Sequence, residues 1–102
     1  MIIFTEHALK GISKVSPFDA EIMIAELEAA YEAGGRYVEF ASRNWESTTI
    51  IDVLNEKEEN ILMIVGITGL YLCNMYRFGV ITCDGKIPIK VLLKSIKQYR
   101  EN

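Results

Sequence analysis

The sequence predicts an α+β domain, in which an antiparallel sheet of about four strands carries its helices on one face. One helix is clearly marked between Ser16 and Gly34, and a second is marked near the C-terminal end. Short β-prone segments separated by turns lie between them. The longest apolar run, Ile61–Cys83, contains a single charged residue, Arg77, and is typical of buried strands.

The composition predicts one folded domain that spans the whole chain. Of the 102 residues, half are hydrophobic, a quarter are charged and two are proline, which is the balance of an ordinary globular domain. The formal net charge of −3 disfavours a general nucleic-acid binder, because phosphate neutralisation needs an excess of Lys and Arg. A local basic face that contacts phosphates is still compatible with this charge.

The sequence favours a cytoplasmic location and no membrane span. The uncharged stretch Ile61–Tyr76 is shorter than the about 20 residues that a membrane helix needs. The segment Met1–Lys10 lacks the design of a signal peptide, since its apolar part is short and an acid follows. Cys73 and Cys83 lie in apolar surroundings, so we expect two buried, reduced thiols.

The first predicted elements are a strand at Met1–Thr5 and a brief helix at Glu6–Lys14. A longer helix follows, with Ser16 as its N-cap, Pro17 in the first helical position and Asp19 completing a capping-box pattern.

The end of this longer helix is set by Gly34-Gly35, and its two faces differ. Its predicted core side comprises Met23, Ile24, Leu27, Ala30 and Tyr31. The opposite side carries Glu21, Glu28 and Glu32.

The middle of the chain alternates between strand and loop signals. Arg36–Ser42 reads as a half-buried strand, and Arg43–Glu46 is a polar connection. Thr48–Leu54 is β-branched and predicts the next strand, and Asn55–Asn60 predicts an exposed hairpin tip.

The apolar run itself is expected to contain two or three strands. Thr68-Gly69 divides it into Ile61–Ile67 and Leu70–Phe78, and Gly79 marks a break before Val80–Cys83. The predicted order of elements is therefore β-α-α-β-β-β-(β)-α, where the last strand is the short Val80–Cys83.

The final helix is predicted to follow an Asp84-Gly85 turn and to begin at Pro88. Its core stripe is Ile89, Leu92, Leu93, Ile96 and Tyr99. Its exposed row is Lys90, Lys94 and Lys97.

No metal or cofactor site is predicted. His7 is the only histidine, and Cys73 and Cys83 are not spaced as a zinc-binding pair. The segment Gly66–Gly69 has two glycines but matches neither common nucleotide-binding motif, and no helix pattern is visible after it.

Two charged rows are candidate binding surfaces. The acids Glu21, Glu28 and Glu32 either contact a partner or form a solvated helix face. The lysines Lys90, Lys94 and Lys97 either contact a partner, with local phosphate contact open, or simply complement the dipole of a helix C-terminus.

Catalytic candidates are fewer. His7 at the start of the first helix is a candidate general acid or base, and Lys10 or a sheet-borne Arg77 would stabilise a phosphorane. The alternative is that His7 serves as a cap or packing residue.

The N-terminal motif F-T-E-H-A-L-K, from Phe4 to Lys10, and the later V-I-T of Val80–Thr82 resemble a family of small bacterial and phage proteins. That family opens with F-T-x-H-A-x-x-R and is similar to RelE/ParE-type toxins, whose α+β fold it shares. The resemblance implies a metal-independent, mRNA-directed ribonuclease or a remnant of one, with His7, Lys10, Tyr76 and Arg77 as catalytic candidates. The usual arginine is absent, with Lys10 as the adjacent base, and the chain is acidic where such toxins are basic.

The sequence therefore favours a small interaction or regulatory protein of a bacterium or phage, of inhibitor, immunity or accessory type, without catalysis. A protein partner is favoured, and local RNA contact and a homodimer remain open. The alternatives are a RelE-like ribonuclease toxin and small-molecule binding in a pocket lined by the Ile61–Cys83 strands.

Overall fold

The computed structural model describes residues 16–40, 50–77 and 86–101. These residues form three helices and a four-stranded antiparallel sheet, so the α+β class is confirmed. In chain order the elements are α1 (Pro17–Glu32), β1 (Tyr37–Glu39), β2 (Ile51–Leu54), β3 (Asn60–Ile64), α2 (Gly66–Arg77), β4 (Lys86–Pro88) and α3 (Ile89–Glu101).

Helix α1 begins and ends at the predicted signals. The hydroxyl of Ser16 accepts a hydrogen bond of 3.1 Å from the backbone N–H of Asp19, which satisfies one free donor of the first turn. At the other end Gly34 has a φ of +104°, a conformation that glycine adopts without strain. The backbone N–H of Gly35 then bonds the carbonyl of Ala30 at 2.8 Å, which closes the helix in a Schellman-like turn.

The strand order in the sheet is β3-β2-β1-β4, and every neighbouring pair is antiparallel. β2 and β3 form the predicted hairpin around the Asn55–Asn60 loop. Their register shifts by one residue, because Val53 pairs with Leu62 whereas Leu54 pairs with Asn60, so Ile61 is the additional residue of a bulge.

All three helices contribute to a core on one face of the sheet, as predicted. Alternate strand residues such as Val38, Val53 and Ile87 point to this face and are fully buried. The remaining buried core residues are Met23, Ile24, Leu27, Ala30, Ile51, Ile64, Leu72, Ile89, Leu92 and Ile96.

The prediction of strands throughout Ile61–Cys83 is wrong for most of its described part. Only the segment up to Ile64 is a strand, and residues Gly66–Arg77 form helix α2. Thr68 and Leu72, one helical turn apart, are fully buried, and Leu70 between them is 47% exposed. Burial of this helical stripe against the core outweighs the β-propensity of the segment.

Glycine permits the change from strand to helix. Gly66 has a φ of +77° and open space around it, so the chain leaves β3 and enters α2 without strain. Thr68-Gly69, predicted to separate two strands, instead lies in the first turns of α2. The expected strand Leu70–Phe78 is helical up to Arg77.

The last part of the fold differs from prediction in one further respect. Lys86–Pro88 forms strand β4, which pairs with β1, so Pro88 ends a strand and α3 starts one residue later. The predicted elements Met1–Thr5, Glu6–Lys14 and Val80–Cys83 lie outside the described residues, as do Arg43–Glu46 and Asp84-Gly85. The described order is thus α-β-β-β-α-β-α.

Within the described ranges, every helix is too short or too polar to cross a lipid bilayer.

Candidate functional site

The acids predicted as a binding row lie on the solvent side of α1. Glu21, Glu28 and Glu32 are all exposed, and they follow one another at helical spacing. The opposite side of the helix packs into the core, so these carboxylates cover the outer surface of α1.

The predicted lysine row lies on α3, immediately beside the acids. Lys90, Lys94 and Lys97 are exposed, and the Nζ atom of Lys97 lies 3.6 Å from Oε1 of Glu28. Both side chains of this ion pair are about half exposed, at 51% and 52%. The two rows, predicted as separate surfaces, therefore form one surface with an acidic and a basic side.

The two helices run in opposite directions. Lys97, late in α3, contacts Glu28, whereas Lys90, early in α3, lies over the ring of Tyr31, later in α1. The lysine row therefore runs antiparallel to the acid row, and the two rows meet at Lys97 and Glu28.

The ring of Tyr31 contacts two cations at one end of this surface. The Arg36 guanidinium carbon lies 4.1 Å from the centroid of the Tyr31 ring, and Lys90 Nζ lies 5.4 Å from it. Both are cation–π distances. Arg36 is held by hydrogen bonds to the carbonyls of Tyr31 at 3.0 Å and Gly35 at 2.8 Å, so it also caps the C-terminal end of α1.

This cluster was not predicted. The sequence predicts Tyr31 on the core side of the helix, where it is partly buried and packs against the core, and it predicts Arg36 in the next strand. A base immediately after Gly34-Gly35 is a sequence signal for C-terminal capping. That Lys90 also reaches the ring depends on how α3 packs, which local sequence does not show.

An open groove follows the lysine row. Its described lining is Lys90, Leu93, Lys94, Lys97 and Gln98. Leu93 is half-buried and packs against the core, so it gives the groove an apolar floor. The lysine side chains add positive charge and long apolar stems.

A second open groove lies at the hairpin end of the sheet and has mixed charge. Its described lining is Gly34, Arg36, Asn55, Glu56, Lys57 and Glu59. Nearby, Lys86 Nζ bonds Glu58 Oε2 at 2.6 Å, and this hydrogen bond raises the pKa of the Lys86 ammonium. Since acids and bases alternate here, the groove favours no one sign of ligand.

The described residues include two of the four catalytic candidates, Tyr76 and Arg77. His7 and Lys10 lie outside the described residues. Tyr76 and Arg77 belong to the last turn of α2, so Arg77 is helix-borne and the expectation of a strand-borne arginine is wrong. Within the described ranges, no group of three His, Cys, Asp or Glu side chains is placed to hold a metal ion.

Comparisons with protein-family models, curated proteins and solved structures found no significant match to this chain.

Proposed function

We propose that this chain is a small cytoplasmic protein-binding module of regulatory, inhibitor or immunity type, without catalytic activity. Its contact surface is the lysine-lined groove of α3, bordered by the acid row of α1. The observation that carries the proposal is the 3.6 Å pair of Glu28 and Lys97, at which the two rows of opposite charge meet.

The chemistry of the groove selects an acidic partner segment. Lys90, Lys94 and Lys97 attract carboxylates, and the half-buried Leu93 supplies an apolar contact between them. An acidic segment that carries one apolar side chain matches both features.

The acid row sets the orientation of that segment. Because Glu28 and its neighbours repel an acidic chain, the segment is confined to the α3 side of the boundary. Charge of both signs across a narrow surface contributes specificity and association rate more than affinity. The isolated Glu28–Lys97 pair contributes little to folding stability because it is half exposed.

The same features favour protein over RNA. An RNA strand in the groove would place phosphates beside the exposed carboxylates of α1, and the whole chain has a formal net charge of −3. Lysine contacts to phosphates alone would have to overcome this repulsion.

A pair of charge-reversal variants tests the proposal. Lys94→Glu changes the centre of the lysine row, and Lys57→Glu makes the same change of charge at another exposed position, on the hairpin loop. Wild type and both variants are immobilised and exposed to nuclease-treated bacterial lysate.

The expected result is one stoichiometric protein retained by wild type and by Lys57→Glu. Titration of the purified partner should give an affinity at least about ten-fold weaker for Lys94→Glu. Equal binding to Lys94→Glu, or a bound species that nuclease removes, would contradict the proposal.

The Phe4–Lys10 motif favours a second candidate, the RelE-like ribonuclease. In that case expression of the chain should arrest bacterial growth, and His7→Ala or Arg77→Ala should relieve the arrest. Growth at the normal rate during wild-type expression would eliminate this candidate.

A further inference from the structure

Among the described strands, β3 lies at one edge of the sheet. It pairs with β2 on one side, and no described strand lies on its other side. Exposed edges are usually protected by lysine, proline or an inward-pointing charge. The segment Asn60–Val65 contains none of these, and its one protective feature, the bulge at Ile61, lies near the N-terminal end.

Apolar side chains accompany this open edge. Ile61 is 39% exposed, Met63 is 55% exposed and Val65 is 56% exposed, at alternate positions along the extended chain. Three exposed apolar residues in one strand segment of a small domain indicate a contact surface rather than scattered surface residues.

We propose that a second copy of this chain binds here, with the two β3 edges paired antiparallel about a two-fold axis at Met63. In that register Met63 lies opposite Met63 of the second copy, and Ile61 lies opposite its Val65. Every exposed apolar side chain of the segment then has an apolar cross-strand partner. The arrangement closes on itself, because both copies use the same β3 edge.

The charges at the two ends of β3 complement each other in this arrangement. Glu59 directly precedes the strand, and α2 begins at Gly66 directly after it, with no acidic residue in its first turn. Antiparallel pairing places Glu59 of one copy beside the positive N-terminal end of α2 in the other, whereas Glu58 is engaged by Lys86 of β4. A parallel arrangement would place like ends together.

The proposed dimer does not occupy the surface that the proposed function uses. The groove lies on α3, which follows β4 at the opposite edge of the sheet. The paired segment is short, so we expect a weak dimer with a dissociation constant on the order of micromolar.

Sedimentation velocity from about 1 µM to about 1 mM protein tests this inference. The wild type should change from monomer to dimer, and Met63→Lys should weaken the association at least about ten-fold, because two lysines would face each other. Val91→Lys makes the same change at another exposed apolar residue, on α3, and should leave dimerisation unchanged.

Oxidative cross-linking tests the register. Met63→Cys should form a disulfide between copies, identified by peptide mapping, whereas Val65→Cys should not, because the two Val65 positions are four residues apart in the pairing. A wild type that stays monomeric throughout, or a dimer that Met63→Lys leaves intact, would overturn the inference. The proposed function is tested separately, by measuring whether the Met63→Lys variant still binds the protein partner.

Discussion

The hydroxyl of Tyr71 in α2 donates a hydrogen bond of 2.8 Å to the Oδ2 atom of Asp19 in the first turn of α1. The two residues are 52 positions apart, so this bond joins the helix that the sequence marks most clearly to the helix that it does not mark. Asp19 thus has two roles. Its backbone N–H donates to the N-cap residue Ser16, and its carboxylate fixes the position of Tyr71 in α2.

Because of this hydrogen bond, we expect the free energy of unfolding to decrease at alkaline pH. The hydrogen bond to Asp19 raises the pKa of the Tyr71 hydroxyl above its ordinary value of 10.0, and partial burial and the carboxylate charge act in the same direction. The unfolded chain therefore loses this proton at a lower pH than the folded chain. The stabilisation is complete below about pH 10 and declines as the pH rises from there toward the raised pKa.

We expect Tyr71→Phe to lower the free energy of unfolding by about 1 kcal/mol at neutral pH. The difference between wild type and Tyr71→Phe should shrink between about pH 10 and the raised pKa. Urea unfolding at a series of pH values measures this difference. A difference that stays constant up to the alkaline end would show that the bond contributes nothing.

The hydroxyl of Thr68 gives a second prediction. Its Oγ1 atom is fully buried and has no hydrogen-bond partner among the described residues. A buried polar group without a partner retains its desolvation cost. Thr68→Val replaces the hydroxyl by a methyl group of similar size, and should raise the free energy of unfolding by about 1 kcal/mol.

Thr68→Ser is the matched control, because it keeps the hydroxyl and removes the buried methyl group. We expect it to be destabilising by about 1 kcal/mol. A loss of stability in Thr68→Val, measured in the same unfolding experiment, would mean that the hydroxyl is used.

Gly35 is required by packing. A Cβ atom at this position would lie 2.5 Å from Cγ1 of Val53 and 2.7 Å from the carbonyl oxygen of Ala30. The second of these atoms belongs to the backbone and cannot turn away, so Gly35→Ala should be destabilising by about 3 kcal/mol.

Gly66→Ala is the comparison variant for Gly35→Ala, because it changes backbone strain without creating a steric clash. Its φ is +77° but nothing lies within 4 Å of the added Cβ, so only the left-handed strain of about 1 kcal/mol should appear. Thermal unfolding of both variants should show that Gly35→Ala is the more destabilised of the two. Equal losses at the two positions would contradict the packing role of Gly35.

The hairpin loop depends on Asn55. Its Oδ1 atom accepts hydrogen bonds from the backbone N–H groups of Lys57 at 3.0 Å and Glu59 at 2.9 Å. Asn55→Ala should therefore lower the free energy of unfolding by about 1–2 kcal/mol. Asn55→Asp keeps an oxygen that can accept these bonds. It should therefore lose less stability than Asn55→Ala, in spite of the neighbouring acids. If both variants lose the same stability, these bonds do not hold the loop.

Sequence reasoning succeeded where the controlling interactions are local. Ser16, Pro17 and Gly34 define α1 through contacts within a few residues, and the Asn55–Asn60 loop signals the hairpin in the same way. It failed at Gly66–Arg77, because the helical form of that segment depends on burial of Leu72 in a core built by distant elements. The two charged rows were predicted singly, and their juxtaposition at Glu28 and Lys97 follows only from the antiparallel packing of α1 and α3.

The composition of helix α2 has a consequence for the order of folding. Its sequence GITGLYLCNMYR contains two glycines, β-branched residues and aromatic residues, all poor helix formers. A segment of this kind does not nucleate a helix by itself, so α2 must form as it docks onto α1 and the sheet. The hairpin of β2 and β3 and the well-capped α1 have local signals of their own and can form earlier. The docking of α2 is therefore expected to be a late step in folding, after which the strand-prone segment is no longer open to intermolecular pairing.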